Sequence, residues 1–109
     1  MELAFDSRSL RSICENEDQA KEKYGTAVAE ILKHRLADLC AATSIKDLLV
    51  GQPRPMEGTN DLCMILDLCE DYQIVFCANH PQNPLTEIGR LDWSRVSRVK
   101  IMRIERDDA

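Results

Sequence analysis

A cluster of basic side chains near the C-terminus is the part of this sequence best suited to chemistry on a phosphate. Five of the twelve residues from 95 to 106 are basic, namely Arg95, Arg98, Lys100, Arg103 and Arg106. Guanidinium and ammonium groups bind phosphate oxygens and stabilise the charge that develops in phosphoryl transfer. The run also suits an acidic protein segment, or a charged strand edge that discourages aggregation. Strict alternation along a strand would place Arg98, Lys100 and Arg106 on one side and the other two on the opposite side.

Two further side chains, in predicted loops, suit such chemistry. Arg54 lies between Pro53 and Pro55, and because prolines restrict the backbone to extended conformations, its guanidinium would stand on a rigid loop. This position fits a phosphate contact, and it also fits a solvated charge. His80 lies in a loop after an apolar run, where an imidazole can act as a general acid or base near neutral pH.

Length, composition and charge limit the class of protein. A chain of 109 residues with 44% hydrophobic side chains predicts a single domain, residues 1–109, with one core. No apolar run reaches the roughly 18 residues that a membrane span needs, and no basic segment leads an apolar one at the start, so we expect a cytoplasmic protein without a membrane partner. The net charge of −5 argues against a broad phosphate-binding surface.

The charge is unevenly distributed along the chain. Residues 1–43 carry a net charge of −2, residues 44–79 carry −4 and residues 80–109 carry +1, counting Lys and Arg against Asp and Glu. Any phosphate-binding surface is therefore expected to draw its cations from the last third.

The five cysteines are expected to be reduced thiols. Five is an odd number, so at least one thiol would remain outside any intramolecular disulfide set, and a cytoplasmic location favours the reduced form. The sequence contains no CxxC pair or zinc-knuckle spacing, so no metal site or other cofactor is predicted. The cysteines are Cys14, Cys40, Cys63, Cys69 and Cys77.

Apolar periodicity predicts the order of secondary structure as strand, helix, helix, strand, strand, strand. Alternation at residues 2–5 predicts a first strand, and Asp6 or Ser7 can cap a short helix. A longer helical pattern runs from about Asp18 to Ala42, with Gly25 as a weak point. A last strand is expected near residues 96–105, where a break in alternation indicates a bulge or burial on both sides. This order predicts an α+β fold with two N-terminal helices on one face of a mostly antiparallel sheet.

Residues 62–76 predict a β-hairpin that turns across Glu70 and Asp71. Period-2 alternation gives each strand one apolar face, and these faces form the core if the register aligns them. The predicted core residues are Leu62, Met64, Leu66, Leu68, Tyr72, Ile74 and Phe76.

The hairpin carries Leu66-Asp67-Leu68 and Tyr72-Gln73, and Leu91-Asp92-Trp93-Ser94 follows downstream. With the Phe5-Asp6-Ser7 opening and the long helix, this order resembles the HigB-type killer proteins of the RelE/ParE toxin superfamily over nearly the whole chain. The resemblance implies the toxin component of a type II toxin-antitoxin system, used in plasmid maintenance. It implies a metal-independent, ribosome-dependent mRNA endonuclease without cofactors. It further implies a helix-turn-helix antitoxin and ribosome-bound mRNA as partners, and it is compatible with a homodimer.

The resemblance also implies a set of site residues, although this chain departs from the family at most of them. The family's loop histidine falls on Arg54, and the arginine after the hairpin tyrosine falls on Gln73. A basic loop position of the family falls on Glu57, and a basic pair before the hairpin falls on Asn60 and Asp61. The family's C-terminal tyrosine-histidine pair falls on Asp107 and Asp108. The candidate catalytic residues are Arg54, Gln73, His80, Arg103 and Arg106.

These departures leave two hypotheses from different functional classes. In the first, the chain cleaves RNA by acid-base chemistry, with arginines stabilising the phosphate. In the second, the chain has lost the nuclease groups and persists as a module that binds the antitoxin or another partner.

Overall fold

Five strands form one mixed sheet in the computed structural model, which describes residues 1–107. The strands are β1 Glu2–Phe5, β2 Arg54–Pro55, β3 Cys63–Asp67, β4 Tyr72–Ala78 and β5 Arg98–Arg106. Their spatial order is β1-β5-β4-β3-β2, with β1 parallel to β5 and the other neighbours antiparallel. The predicted α+β class and mostly antiparallel sheet are confirmed. The short strand β2 was not predicted, because Arg54 and Pro55 form a strand only through pairing with Ile65 and Met64.

The helices number three in residues 1–107, not the predicted two. They are α1 Arg8–Glu15, α2 Glu17–Tyr24 and α3 Thr26–Ala41. Ser7 caps α1 as expected, whereas Asn16, not Asp18, caps α2. The predicted long helix is divided at Gly25, whose backbone has φ +91° and ψ 164°. These angles are incompatible with a helix and are easily adopted by glycine.

The helices and the sheet bury one shared core. In the hairpin, Met64 pairs with Phe76 and Leu66 with Ile74, and all four side chains are buried. The register is thus the one that aligns the two apolar faces. Leu62, which was also expected in the core, is 44% exposed because it lies before β3 begins. Side chains from both layers make up this core, including Leu10, Ala20, Leu32, Leu39, Val99 and Ile101.

A bulge in β5 explains its broken alternation. Phe76 pairs with Ile101, whereas the preceding Val75 pairs with Arg103, so Met102 is an extra residue opposite β4. Ile101 and Ile104 are three residues apart and would lie on opposite faces of a regular strand. The bulge allows both side chains to point toward the helices. Of the two explanations that the sequence offered, a bulge or burial on both sides, the structure shows the bulge, and the side chains change faces at Met102.

Cys63 and Cys77 form a disulfide, which corrects the expectation of five reduced thiols. Their spacing matches no local motif, but the hairpin register places them directly opposite, with Cα atoms 4.0 Å apart. The neighbouring backbone bond runs from Ala78 N–H to the Leu62 carbonyl, so the cysteines occupy a non-hydrogen-bonded pair, where opposed side chains lie closest. The pairing depends on strand register, which cysteine spacing alone does not reveal.

Reduction of this disulfide is expected to lower the free energy of unfolding by about 3 kcal/mol, because the bond restricts a loop of roughly 15 residues in the unfolded chain. Urea titrations with and without dithiothreitol measure the difference. A variant carrying both Cys63→Ser and Cys77→Ser is the control and should show no effect of reductant. Equal stability of the oxidised and reduced wild-type chains would contradict this assignment.

Cys14 is expected to react slowly with alkylating agents. Burial, with a smaller effect of the Glu15 carboxylate, raises the pKa of its thiol from 9.0 to about 11. Because the thiolate is the reactive form, its population at pH 8 is about 100-fold below that of a thiol with the ordinary value. Peptide mass spectrometry after timed iodoacetamide treatment should show exposed Cys40 modified well before Cys14. Equal rates at the two positions would contradict the burial of Cys14.

Candidate functional site

The face of the sheet opposite the helices carries most of the candidate residues. We call it the open face, and strand register assigns to it the side chains that alternate with the core. Across its middle row, β2, β3, β4 and β5 contribute one side chain each, and the adjacent row holds three more. The middle row is Arg54, Ile65, Val75 and Arg103, and the adjacent row is Asp67, Gln73 and Glu105.

Arg54 is held at one edge of the open face by two hydrogen bonds. Its Nη2 donates to Oδ1 of Asp67 at 3.0 Å, and its Nη1 donates to the Gln52 carbonyl at 3.1 Å. Both charged side chains remain partly exposed, at 43% for Arg54 and 37% for Asp67. An ion pair this exposed contributes little to stability, so a phosphate could replace the carboxylate as the partner of Arg54.

Gly51 fixes the path of the chain into this edge. Its carbonyl accepts a hydrogen bond from the Asp67 N–H at 2.6 Å, and its φ of +79° lies in the left-handed region that favours glycine. A Cβ atom at this position would lie 2.7 Å from Cδ1 of Leu66. The close approach therefore requires glycine, and it sets the position of Arg54 three residues later.

Gln73, Glu105 and Arg103 form a hydrogen-bonded chain on the same face. Gln73 Nε2 donates to Glu105 Oε1 at 3.0 Å, and Arg103 Nε donates to Glu105 Oε2 at 2.8 Å. The hydrogen bond from Arg103, assisted by that from Gln73, holds the pKa of the Glu105 carboxyl below its ordinary value against the opposing effect of desolvation. Gln73 is buried, with 8% of its surface exposed, so the orientation of Glu105 is well defined.

Arg103 also extends across the centre of the sheet. Its Nη2 lies 3.7 Å from Sδ of Met56, directly after β2, although Val75 and Ile65 separate Arg103 from β2 in the register. Val75 lies in the same row and is only 1% exposed, and an arginine side chain that extends across the row covers apolar surface of this kind. Arg103 and Arg54 therefore belong to the same row of the open face, and the side chain of Arg103 extends toward the strand that carries Arg54.

The bulge corrects the predicted grouping of the basic run. Arg103, Lys100 and Arg98 lie on the open face, whereas Arg106 pairs with Tyr72 on the side of the helices. The guanidinium carbon of Arg106 lies 6.0 Å from the centre of the Tyr72 ring. Strict alternation gave the opposite result because Met102 shifts the phase between Lys100 and Arg103.

His80 is not brought to this cluster. Its Nε2 accepts a hydrogen bond from the Ser97 N–H at 3.0 Å, and its own backbone N–H donates to Asn83 Oδ1 at 3.1 Å. These contacts join His80 to the segment before β5. His80 follows the last residue of β4, whereas Gln73 lies near the first, so the two are at opposite ends of that strand. Because Nε2 accepts this hydrogen bond, the imidazole holds the loop in place and is not grouped with Arg54 and Arg103.

No known family model, curated protein or solved structure matches this chain. Within residues 1–107, no three His, Cys, Asp or Glu side chains are grouped so that they could hold a metal ion. None of the helices in that range is both long and apolar enough to cross a membrane. Asp108, one of the positions aligned with the family's C-terminal pair, lies outside the described residues.

The arrangement offers two guanidinium groups and two carboxylates within adjacent rows. The guanidiniums of Arg54 and Arg103 can bind a phosphodiester, and an ionised carboxylate can accept a proton from a hydroxyl. Glu105 was not predicted as a site residue. Alternation within one strand gives no information about its pairing with Gln73, which lies 32 positions earlier in the chain. A bulge placed in β5 at Met102 would have identified it, because the resulting register pairs Glu105 with Gln73.

Proposed function

We propose that this chain is the toxin component of a type II toxin-antitoxin system and adopts the RelE/ParE-like fold. The order of elements supports this proposal: one strand, a helical segment and then an antiparallel meander whose last strand returns beside the first. The hairpin from Leu62 to Phe76, which carries much of the resemblance, also supports it, because the paired side chains of Met64 with Phe76 and Leu66 with Ile74 are buried in the core.

As its activity, we propose metal-independent cleavage of ribosome-bound mRNA at the open face. The observation that carries this proposal is the placement of Arg54 and Arg103 in one row of the open face, beside the row that holds Asp67, Gln73 and Glu105. The two guanidiniums would bind the scissile phosphate after releasing their carboxylate partners. Such preorganised cations stabilise the additional negative charge of the phosphorane.

In the proposed reaction, Glu105 accepts the proton of the RNA 2′-hydroxyl. The 2′ oxygen attacks phosphorus, the bond to the 5′ oxygen breaks, and the leaving oxygen takes a proton from water. The products are a 2′,3′-cyclic phosphate and a 5′-hydroxyl end. Before substrate binds, the hydrogen bonds from Arg103 and Gln73 hold the pKa of Glu105 below its ordinary value, so the carboxylate is ionised at neutral pH and can accept a proton.

Induced expression tests the proposed function in cells. The chain alone is expected to arrest growth, and coexpression of an adjacent gene for a small helix-turn-helix protein should restore growth. The matched control is the double variant Arg54→Ala and Arg103→Ala, expressed to the same level, which should be harmless. Normal growth of cells that contain soluble wild-type chain would contradict a toxin activity.

A specific observation favours a second candidate, a module that binds the antitoxin without cleaving RNA. Both arginines of the middle row are already paired with carboxylates, Arg54 with Asp67 and Arg103 with Glu105, and His80 is engaged elsewhere. A polar surface of alternating charge suits a protein partner as well as a phosphate. A chain that leaves growth and mRNA intact, yet copurifies with the adjacent helix-turn-helix protein, would establish this function and exclude the first.

A further inference from the structure

Strand β1 leaves one hydrogen-bonding edge of the sheet without a neighbouring strand. It is the terminal strand and pairs only with β5 within residues 1–107. The N–H of Glu2 donates to Ser97 and that of Asp6 to Ile101, so the even-numbered residues make the parallel ladder. The N–H and C=O groups of Leu3 and Phe5 therefore point away from β5, where they can pair with another strand.

An apolar groove lies beside this edge, on the side of the helices. It has a volume of about 350 Å³ and lies between β1, α1 and α3. Leu3 and Phe5 are only half-buried, and Cys40 on α3 is exposed. The groove joins the free edge to the surface of α3 through Leu36 and Ala37. A strand added to β1 would therefore cover apolar surface as well as backbone groups.

We propose that this edge pairs with the same edge of a second copy of the chain, antiparallel, about a two-fold axis at Ala4. In that register Leu3 lies opposite Phe5 of the second copy, and Phe5 opposite its Leu3. All outward groups of both residues are then used, giving four hydrogen bonds between the strands. The result is a continuous ten-stranded sheet, and this inference does not depend on the proposed toxin function.

The sequence of β1 fits a second copy because the strand is complementary to itself in this register. Alanine occupies the axis, at a non-hydrogen-bonded pair where two side chains approach most closely, and Ala4 lies on the open face away from the groove. The Leu3 and Phe5 side chains of both copies would meet on the side of the helices and join the two grooves. Glu2 would face Asp6 of the second copy, and Arg98, 3.1 Å from the Glu2 carboxylate, places a cation beside these two acidic groups.

The mass of the full chain in solution tests whether the pair forms. Light scattering after size-exclusion chromatography should give twice the 12.4 kDa of one chain, at concentrations up to about 100 μM, which detects complexes of micromolar affinity. Ala4→Lys should restore the single-chain mass with unchanged circular dichroism, because it places two ammonium groups together at the axis. A wild-type chain that stays monomeric throughout overturns the proposal.

Disulfide trapping tests the register independently of the stability of that variant. In a Cys40→Ser background, Ala4→Cys is expected to form an intermolecular disulfide rapidly when diamide oxidises the two thiols. Glu2→Cys in the same background is the matched control, because its thiol would face Asp6 and should remain monomeric on non-reducing gels. Crosslinking of the Glu2→Cys variant but not of the Ala4→Cys variant, or of neither, overturns the proposed edge and register.

Discussion

Replacement of Phe76 by alanine is expected to lower the free energy of unfolding by about 3–5 kcal/mol, the range for deletion of a buried aromatic side chain. Phe76 is completely buried in the central strand β4. Its ring contacts that of Trp93 edge-on, with centroids 5.9 Å apart, and Trp93 in turn donates from its indole to the Asp61 carbonyl at 2.7 Å. The truncation would therefore leave a cavity and also loosen the loop that closes this end of the core.

Urea denaturation followed by circular dichroism measures this loss. Ile88→Ala is the matched control because the Ile88 side chain is apolar but 81% exposed, so its removal should change stability by less than about 0.5 kcal/mol. Losses of similar size for the two variants would contradict the assignment of Phe76 to the core.

Arg103→Ala is expected to reduce the rate of RNA cleavage by about 10²–10³-fold, as for removal of one group that stabilises transition-state charge. Arg54→Ala should have an effect of the same order. The rate is measured by primer extension on mRNA in a purified translation system. Arg98→Ala is the control: this arginine also lies on the open face, but it pairs with Glu2 beside β1, away from the proposed site.

The pH dependence of the Arg103→Ala variant separates a role in charge stabilisation from a purely structural one. The hydrogen bond from Arg103 is the largest cause of the lowered pKa of Glu105, so its loss should raise that pKa. Since Glu105 must be ionised to accept a proton, the acidic limb of the pH–rate profile should move to higher pH. A fully active Arg103→Ala variant, with an unchanged profile, would remove both residues from the proposed mechanism.

Features that follow from local periodicity could be predicted from the sequence. The hairpin faces were predictable because side chains alternate along a strand, so a buried Met64 and Leu66 imply that Cys63 and Asp67 lie on the opposite face. The first strand and the Ser7 cap depend on equally local patterns. The division of the long helix at Gly25 was not predicted, because glycine is tolerated inside a helix as well as at its end.

The candidate site was less predictable because its contacts join residues far apart in the chain. Arg54 meets Asp67, Gln73 meets Glu105 and Cys63 meets Cys77 only after the strands have paired. The insertion of Met102 opposite β4 then decides which arginines share a face. A bulge was one of two explanations that the sequence offered, and its position was not predicted. Without it, Arg106 in place of Arg103 would lie on the open face.

RNA cleavage at the open face is tested by mapping new 5′ ends on ribosome-bound mRNA shortly after induction of the wild-type chain. The proposed reaction predicts new 5′-hydroxyl ends within translated regions, and it predicts that they disappear in the Arg54→Ala, Arg103→Ala double variant. Intact mRNA in cells that contain folded wild-type chain, or the same cleavage with the double variant, would contradict the claim that the open face of the sheet cleaves RNA.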